Sequence, residues 1–249
     1  MIFPFRYQTT TNLKIIILFI LIAVSLSTVY FFRHHVNKQI DNLSLSALTL
    51  LSSNSVQPQG YPRIGFWMIA PNGQPADWLG KKYNGKQLIE PINIVIVDSV
   101  AVSGENAKER LIEAMTLAGY PARTGHSSGY SGYIAKILYS MLPEQKNHSF
   151  SNKHPELDNN HGRIFGPHQE NNLYYFIGAF SRENIAPLGK IKHTLASFNQ
   201  ARNDVAQKFD EKTSYKIKER LKLGNSLLNN LLFTTGDHDG TAIVVFAQE

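Results

Sequence analysis

The stretch that most constrains this chain is 159–183. It reads Asn-Asn-His-Gly-Arg-Ile-Phe-Gly-Pro, a polar gap, then Leu-Tyr-Tyr-Phe-Ile-Gly-Ala-Phe-Ser-Arg-Glu. Two apolar runs this close predict adjacent strands, joined by a loop that ends no later than Asn172. Alternation along a strand puts His161, Arg163 and Phe165 on one side of the first run and Ile164, between glycines, on the other. The second run ends in Ser181-Arg182-Glu183, where polar groups emerge from an apolar segment. A His and an Arg on one strand face can hold an anion.

Ahead of that pair lies a different kind of segment. Residues 15–32 are eighteen residues without a charge, flanked by Arg6 and Lys14 on one side and Arg33 and Lys38 on the other. As a helix this run spans about 27 Å, close to one hydrocarbon core. A cleaved signal peptide has a shorter apolar region ending in a small-x-small site. Here Ala23-Val24-Ser25 falls inside the run, which continues through Val29-Tyr30-Phe31-Phe32. The expectation is therefore an uncleaved single-pass anchor, with Tyr30 at the membrane interface and a short inside tail leaving the domain extracytoplasmic. The chain divides into a tail and anchor at 1–36, a Leu/Ser-rich juxtamembrane linker at 37–57, and one domain at 58–249.

Composition narrows what that domain does. With no cysteine among 249 residues there is no disulfide and no thiolate metal site. Residues 58–249 hold 21 Lys/Arg against 18 Asp/Glu, too mild an excess for a dedicated nucleic-acid binder. The sequence names no cofactor. Its expected partners are the lipid bilayer and an anionic small molecule or lipid headgroup.

Along the domain, Ile64 to Ala70 reads as a strand, followed by a Pro-Asn-Gly-Gln-Pro turn. Trp78 and Tyr83 are placed in a Gly-rich loop, as packing aromatics. Pro-Ile-Asn-Ile-Val-Ile-Val-Asp at 91–98 is the clearest strand; its Ile/Val run implies burial on both faces, with Asp98 at the end where α/β sheets often bind ligands. Ser103 is an N-cap, Ala107, Leu111, Met115 and Ala118 repeat at helical spacing, and Gly119 closes the helix, so an α/β unit starts here. Residues 133–142 fit strand or helix, and 147–160 reads as a long loop with His148 and His154. An amphipathic helix is expected over 197–209. In 215–223, Tyr215, Ile217, Leu221 and Leu223 alternate with Lys216, Lys218, Arg220 and Lys222, which is strand periodicity with one cationic face. Gly-Asp-His-Asp-Gly at 236–240 turns into a last strand at 241–247. The fold class is α+β: a mixed sheet with two main helices, preceded by one transmembrane helix.

Two motifs bear on catalysis. Gly125-His126-Ser127-Ser128-Gly129 matches the nucleophile elbow G-x-S-x-G, and Asp204 or Asp210 with His238 supply the chain order Ser, Asp, His. The segment before it, 119–124, is not the buried apolar strand that an elbow follows. A calcium loop set on Asp237, Asp239 and Gly240 leaves Thr235 and Phe246 at positions that need carboxylates. A zinc site recruiting His238 with His161 or His193 lacks ligand spacing, so no metal is assigned. There is no P-loop and no dinucleotide glycine motif. Arg202 and Asp204, two apart on a helix, point to different faces.

Taken in order, the strand at 91–97, Ala118-Gly119-Tyr120, Asn160-His161-Gly-Arg163-Ile-Phe165, the run from Phe176 to Arg182-Glu183, His193, and Ala201-Arg202-Asn-Asp204 resemble the C-terminal domain of the LssY family. The resemblance covers about 91–209. Members of that family show a His-x-Arg-x-aromatic strand, a strand end in Arg-Asp, and a His followed by Arg-Asp. Here Glu183 stands for the first Asp, and Asn203 separates Arg202 from Asp204. The resemblance implies an uncharacterised, envelope-associated domain of bacterial membrane proteins. The expectation is an accessory module gripping an anionic ligand through His161, Arg163, Arg182 and His193. The alternative is a hydrolase, using Ser127 as nucleophile or a His/Asp metal centre that includes His238.

Overall fold

The computed structural model describes residues 24–28, 30, 54–185 and 193–248. Within the uncharged run, residues 24–28 are helical. Tyr30 is helical too; the rest of the expected anchor lies outside the described residues, as does the linker up to residue 53. Among the described residues no helix is long and apolar enough to cross a membrane. Residues 50–249 form a compact unit of their own.

That unit begins with β1 (Ser55–Val56), inside the segment expected to be linker, and β2 (Ile64–Gly65), which pair antiparallel. Then come β3 (Asp77–Tyr83), β4 (Lys86–Ile89), β5 (Ile94–Asp98), helix α1 (Gly104–Leu117), β6 (Ala122–Thr124), β7 (Ser131–Ile134), β8 (Ile137–Leu142) and β9 (His148–Ser151). The long pair β10 (Asn159–Glu170) and β11 (Leu173–Ile185) follows, then β12 (His193–Ser197), helix α2 (Phe198–Lys212), β13 (Tyr215–Lys222), β14 (Phe233–Thr234) and β15 (Thr241–Ala247). The main sheet runs β1-β2-β7-β8-β10-β11-β5-β15-β13, with β12 beside β11 and β9 joining β6 to β10. β5 is antiparallel to β11 and parallel to β15, so the sheet is mixed and the fold is α+β. A separate small sheet has the order β14-β4-β3.

The Ile/Val run of β5 explains its central place. All five residues are buried. Ile94 and Ile96 pack toward Leu111 and Met115 of α1 and Val205 and Phe209 of α2. Val95 and Val97 pack on the opposite face, with Ile64, Met68 and Met141. Both helices therefore lie on one face of the sheet. Each starts at a serine: the Ser103 and Ser197 hydroxyls accept from the Asn106 and Gln200 amides at 3.1 and 2.8 Å. α2 has a second clamp, because Asp237 also accepts from the Ser197 hydroxyl and from the Phe198 amide. The 236–240 turn is thereby an N-terminal brace, fixed in turn by buried Arg202, which bonds Asp239 at 2.6 and 3.0 Å.

Several expectations are corrected. The strand of 159–170 continues through the polar gap, and only Asn171-Asn172, both with positive φ, turn the hairpin. Trp78 and Tyr83 sit on β3, not in a loop. Residues 131–142 are the hairpin β7–β8, turned at Ala135-Lys136, and β9 interrupts the loop expected over 147–160. The strand that follows α1 directly, β6, does not return beside β5 but pairs with β9; the parallel neighbour of β5 is the last strand, β15. Asp98 is fully buried and is a staple, accepting from Arg110 Nε at 2.8 Å, the Tyr215 hydroxyl at 2.6 Å and the amides of Val100 and Ala101. The alternation of β13 is broken between Ile217 and Glu219, so Tyr215 joins the helix-side core while Leu221 joins the other. Its lysines line the sheet's last strand, where charge discourages pairing with another chain.

The β10–β11 ladder is unusually close-packed at Gly162. A Cβ there would meet the Ala179 carbonyl oxygen at 2.4 Å and the Phe180 ring at 2.5 Å. Because one obstacle is backbone, no rotamer relieves it. Gly162→Ala is expected to lower unfolding free energy by about 1–3 kcal/mol, read as a lower urea midpoint. An unchanged midpoint would show that the ladder is not held at this spacing.

Candidate functional site

The parity of β10 decides what faces what. Asn159, His161, Arg163 and Phe165 point away from the helices, and Asn160 and Ile164 point toward them. Across the ladder Asn159 is paired with Glu183, and His161 with Ser181. This face, together with β3, β12 and the loops at 125–127 and 155, encloses a cavity of about 150 Å³. The loops meet at Gly125, whose φ of +98° lets it pass Pro155, leaving no room for a side chain.

Three histidines, one arginine and two glutamates line the cavity. Glu183 is tied on both oxygens: Asn159 Nδ2 donates to Oε1 at 2.7 Å and His193 Nδ1 to Oε2 at 2.9 Å. The Asn159 oxygen in turn accepts from His161 Nδ1 at 3.0 Å. These bonds fix both imidazoles with the proton on Nδ1, leaving Nε2 as the free nitrogen. The His126 ring stacks on that of His161, centroids 4.8 Å apart, and its buried Nε2 has no partner. Trp78 forms another wall, held by its indole N–H donating to Ser181 at 3.2 Å.

Arg163 is 3% exposed. Its Nη2 donates to the Ser127 carbonyl at 2.8 Å and the Ser127 hydroxyl at 3.3 Å, and its guanidinium lies 4.6 Å over the Tyr130 ring. Its Nε is buried without a partner, and no carboxylate of the described residues comes within ion-pair distance of 4.0 Å.

Burial dominates the electrostatics. Desolvation pushes the Glu90 carboxyl up to about 7, with Arg163 opposing and Asp77 adding to the rise. Desolvation also takes His126 down to about 4, helped by Arg163 and His193, and holds His161 well below the ordinary imidazole range. At neutral pH the cavity therefore contains uncharged His126 and His161, and a Glu90 that readily carries a proton.

Of the four residues expected to grip a ligand, the structure brings His161, Arg163 and His193 to one cavity. Arg182 lies on the helix-bearing face, donating to Asn160 at 3.2 Å. There Asn160 also bonds Asp204 and the Tyr120 hydroxyl, at 3.0 and 3.1 Å. Ser127 is in the cavity, bonded to the Tyr130 hydroxyl at 2.9 Å. The triad order with Asp204 or Asp210 and His238 is not assembled. Asp204 belongs to the Tyr120 network, Asp210 accepts from the Ile217 amide, and buried His238 is bonded to Asn225 at 2.8 Å. Among the described residues no three His, Asp or Glu side chains are arranged to hold a metal ion. Sequence reasoning missed Glu90, Trp78 and His126 as cavity residues. Only His126, inside the glycine-flanked motif, carried a signal.

No family model, no curated protein and no solved structure matches this chain.

The sign of the Glu90 contribution follows from its raised pKa. Below about 4.5 the folded and unfolded chains both hold the proton; between 4.5 and about 7 only the folded chain does, so this group's contribution is lost as pH rises through that window. Glu90→Gln is expected to match the parent at pH 4.5. By pH 8 it should be more stable by about 3 kcal/mol in urea unfolding, with the difference levelling off above pH 7. A pH-independent difference would mean that Glu90 ionises as freely folded as unfolded.

Proposed function

We propose that this chain is a membrane-anchored accessory domain, similar in plan to the C-terminal domain of the LssY family, that binds a small anionic group in the His/Arg/Glu cavity. One observation carries the reading: Arg163 is a buried cation with no counterion among the described residues. Removing a guanidinium from water costs several kcal/mol unless an opposite charge offsets it. Glu183 is occupied by Asn159 and His193, and Glu90 is biased toward its neutral form. A phosphate or carboxylate oxygen would supply the missing charge and accept from the Arg163 Nε–H. Protonated Glu90 would add a donor. The cavity's size suits a headgroup-sized anion rather than a whole nucleotide. The uncharged run at 15–32 supplies the anchor, with the domain on the extracytoplasmic side.

A hydrolase is the second reading, favoured by the Glu183–His193 pair, in which a carboxyl orients an imidazole whose Nε2 is free to act as general base. Ser127 lines the same cavity, but its hydroxyl is bonded to Tyr130 and Arg163 rather than to an imidazole. A fluorophosphonate probe that labels the chain but not Ser127→Ala would establish this reading.

For the leading reading the probe is inorganic phosphate. An anion at a hundred times its Kd raises unfolding free energy by about 2.7 kcal/mol. The parent chain is expected to be stabilised by phosphate, more at pH 6 than at pH 8, because Glu90 ionises through about 7. Arg163→Gln is expected to remain folded and to lose the phosphate effect. Equal stabilisation of parent and variant would remove Arg163 from any binding role.

A further inference from the structure

The small sheet carries a surface that the anion cavity does not use. Residues 227–232 read Leu-Leu-Asn-Asn-Leu-Leu, without a charge. Leu228, Leu231 and Leu232 are 72%, 89% and 52% exposed. One exposed leucine is ordinary; three within five residues form a patch. The turn that displays them is firmly bonded. Asn230 Oδ1 accepts from the amides of Leu232 and Phe233 at 2.9 and 3.0 Å, Leu227 N donates to Thr235 at 3.0 Å, and the Leu232 carbonyl accepts from Gln87 N at 2.8 Å.

Register tells what lies beside them. β14 is parallel to β4 with Phe233 level with Gln87, which sets Leu232 level with Lys86. Lys86 is paired with Tyr83 on β3, and Tyr83 is itself exposed. Between Asp77 and Glu90 the hairpin has three lysines, Lys81, Lys82 and Lys86, and no acid. The result is an apolar centre, a tyrosine at its side and a cationic rim.

We propose that this end of the small sheet docks on an anionic lipid surface. The leucines enter the boundary between headgroups and acyl chains, Tyr83 lies at headgroup level, and Lys82 and Lys86 meet lipid phosphates. Charge selects this occupant. A second copy of the chain meeting the same patch would set lysines against lysines, because a two-fold contact pairs a surface with itself. The proposal stands apart from the anion cavity. The proposed anchor at 15–32 would raise the local concentration of lipid without being required for docking.

The absence of cysteine makes the test direct. Full-length chain carrying Leu231→Cys, labelled with an environment-sensitive fluorophore, is reconstituted into phosphatidylcholine vesicles with or without phosphatidylglycerol, both doped with spin-labelled lipid. Parallel labels at Ile20→Cys and at Glu113→Cys, an exposed position on α1, report the anchor and a face expected to stay in water. Quenching is expected at 231, stronger with phosphatidylglycerol, and not at 113. Lys82→Gln and Lys86→Gln should each lower the docked-to-undocked ratio by about fivefold. No quenching at 231 in anionic vesicles overturns the proposal, whatever the label at 20 shows, as does equal quenching at 113. Equal quenching with and without phosphatidylglycerol overturns the role of the lysines. A concentration-dependent blue shift at 231 without vesicles assigns the patch to self-association instead.

Discussion

The antiparallel pairing of β10 with β11 is the constraint on which the rest depends. It sets Asn159 opposite Glu183 and His161 opposite Ser181, and so builds one wall of the cavity. It also fixes which side chains serve the core: Ile164 goes to the helix face and Phe165 to the other. A slip of one residue would exchange the two sets and bury His161 and Arg163 under the helices. Two features oppose such a slip. Phe180 lies against Gly162, where no other residue fits. Asn93, where the chain enters β5, exchanges two hydrogen bonds with the Phe180 backbone, at 2.8 and 3.0 Å, extending the ladder by one side chain.

The cavity's electrostatics follow from that wall being in the protein interior. Imidazole and carboxyl groups in such surroundings shift toward their neutral forms, whereas a guanidinium does not give up its proton. Burial therefore favours neutral Glu90, His126 and His161, and leaves the Arg163 guanidinium charged among them. Its contacts with a carbonyl, a hydroxyl and an aromatic face spread that charge without cancelling it. Glu90 responds to the same burial by holding its proton to about 7, so the anion we propose would meet the least repulsion when Glu90 is neutral.

Much of the fold was legible because the signals were local. Continuous Ile/Val marked β5 as buried on both faces, Ser103 marked one helix start, apolar spacing over 197–209 marked the other helix, and alternation put His161 and Arg163 on one face. What escaped was non-local. The bulge in β13 moves Tyr215 and Leu221 to opposite cores although their spacing implies one. Trp78 on β3 and Glu90, just after β4, reach the cavity from far along the chain, and nothing near either residue announces it. Asp98 ends a buried strand as a ligand-binding carboxyl would. Its partners Arg110 and Tyr215, one of them 117 positions away, turn it into a staple. Arg182 emerged beside Glu183 at a strand end, yet adjacent strand residues face opposite sides, so only one of the two can reach the cavity.

That division explains why one polar cluster reads as a site and the other as structure. On the helix side, Arg182, Asn160, Asp204 and the Tyr120 hydroxyl bond one another, and Arg110, Asp98 and Tyr215 form a second closed network at the other end of β5 and β11. Such networks rigidify a core and leave little for a ligand to satisfy. On the cavity side, Arg163 Nε and His126 Nε2 have no partner, two of seven such buried side-chain atoms among the described residues. Buried polar atoms are nearly always bonded, and an orphaned one costs about 1–3 kcal/mol. At Arg163 that cost falls beside a cavity, where a bound anion would relieve it.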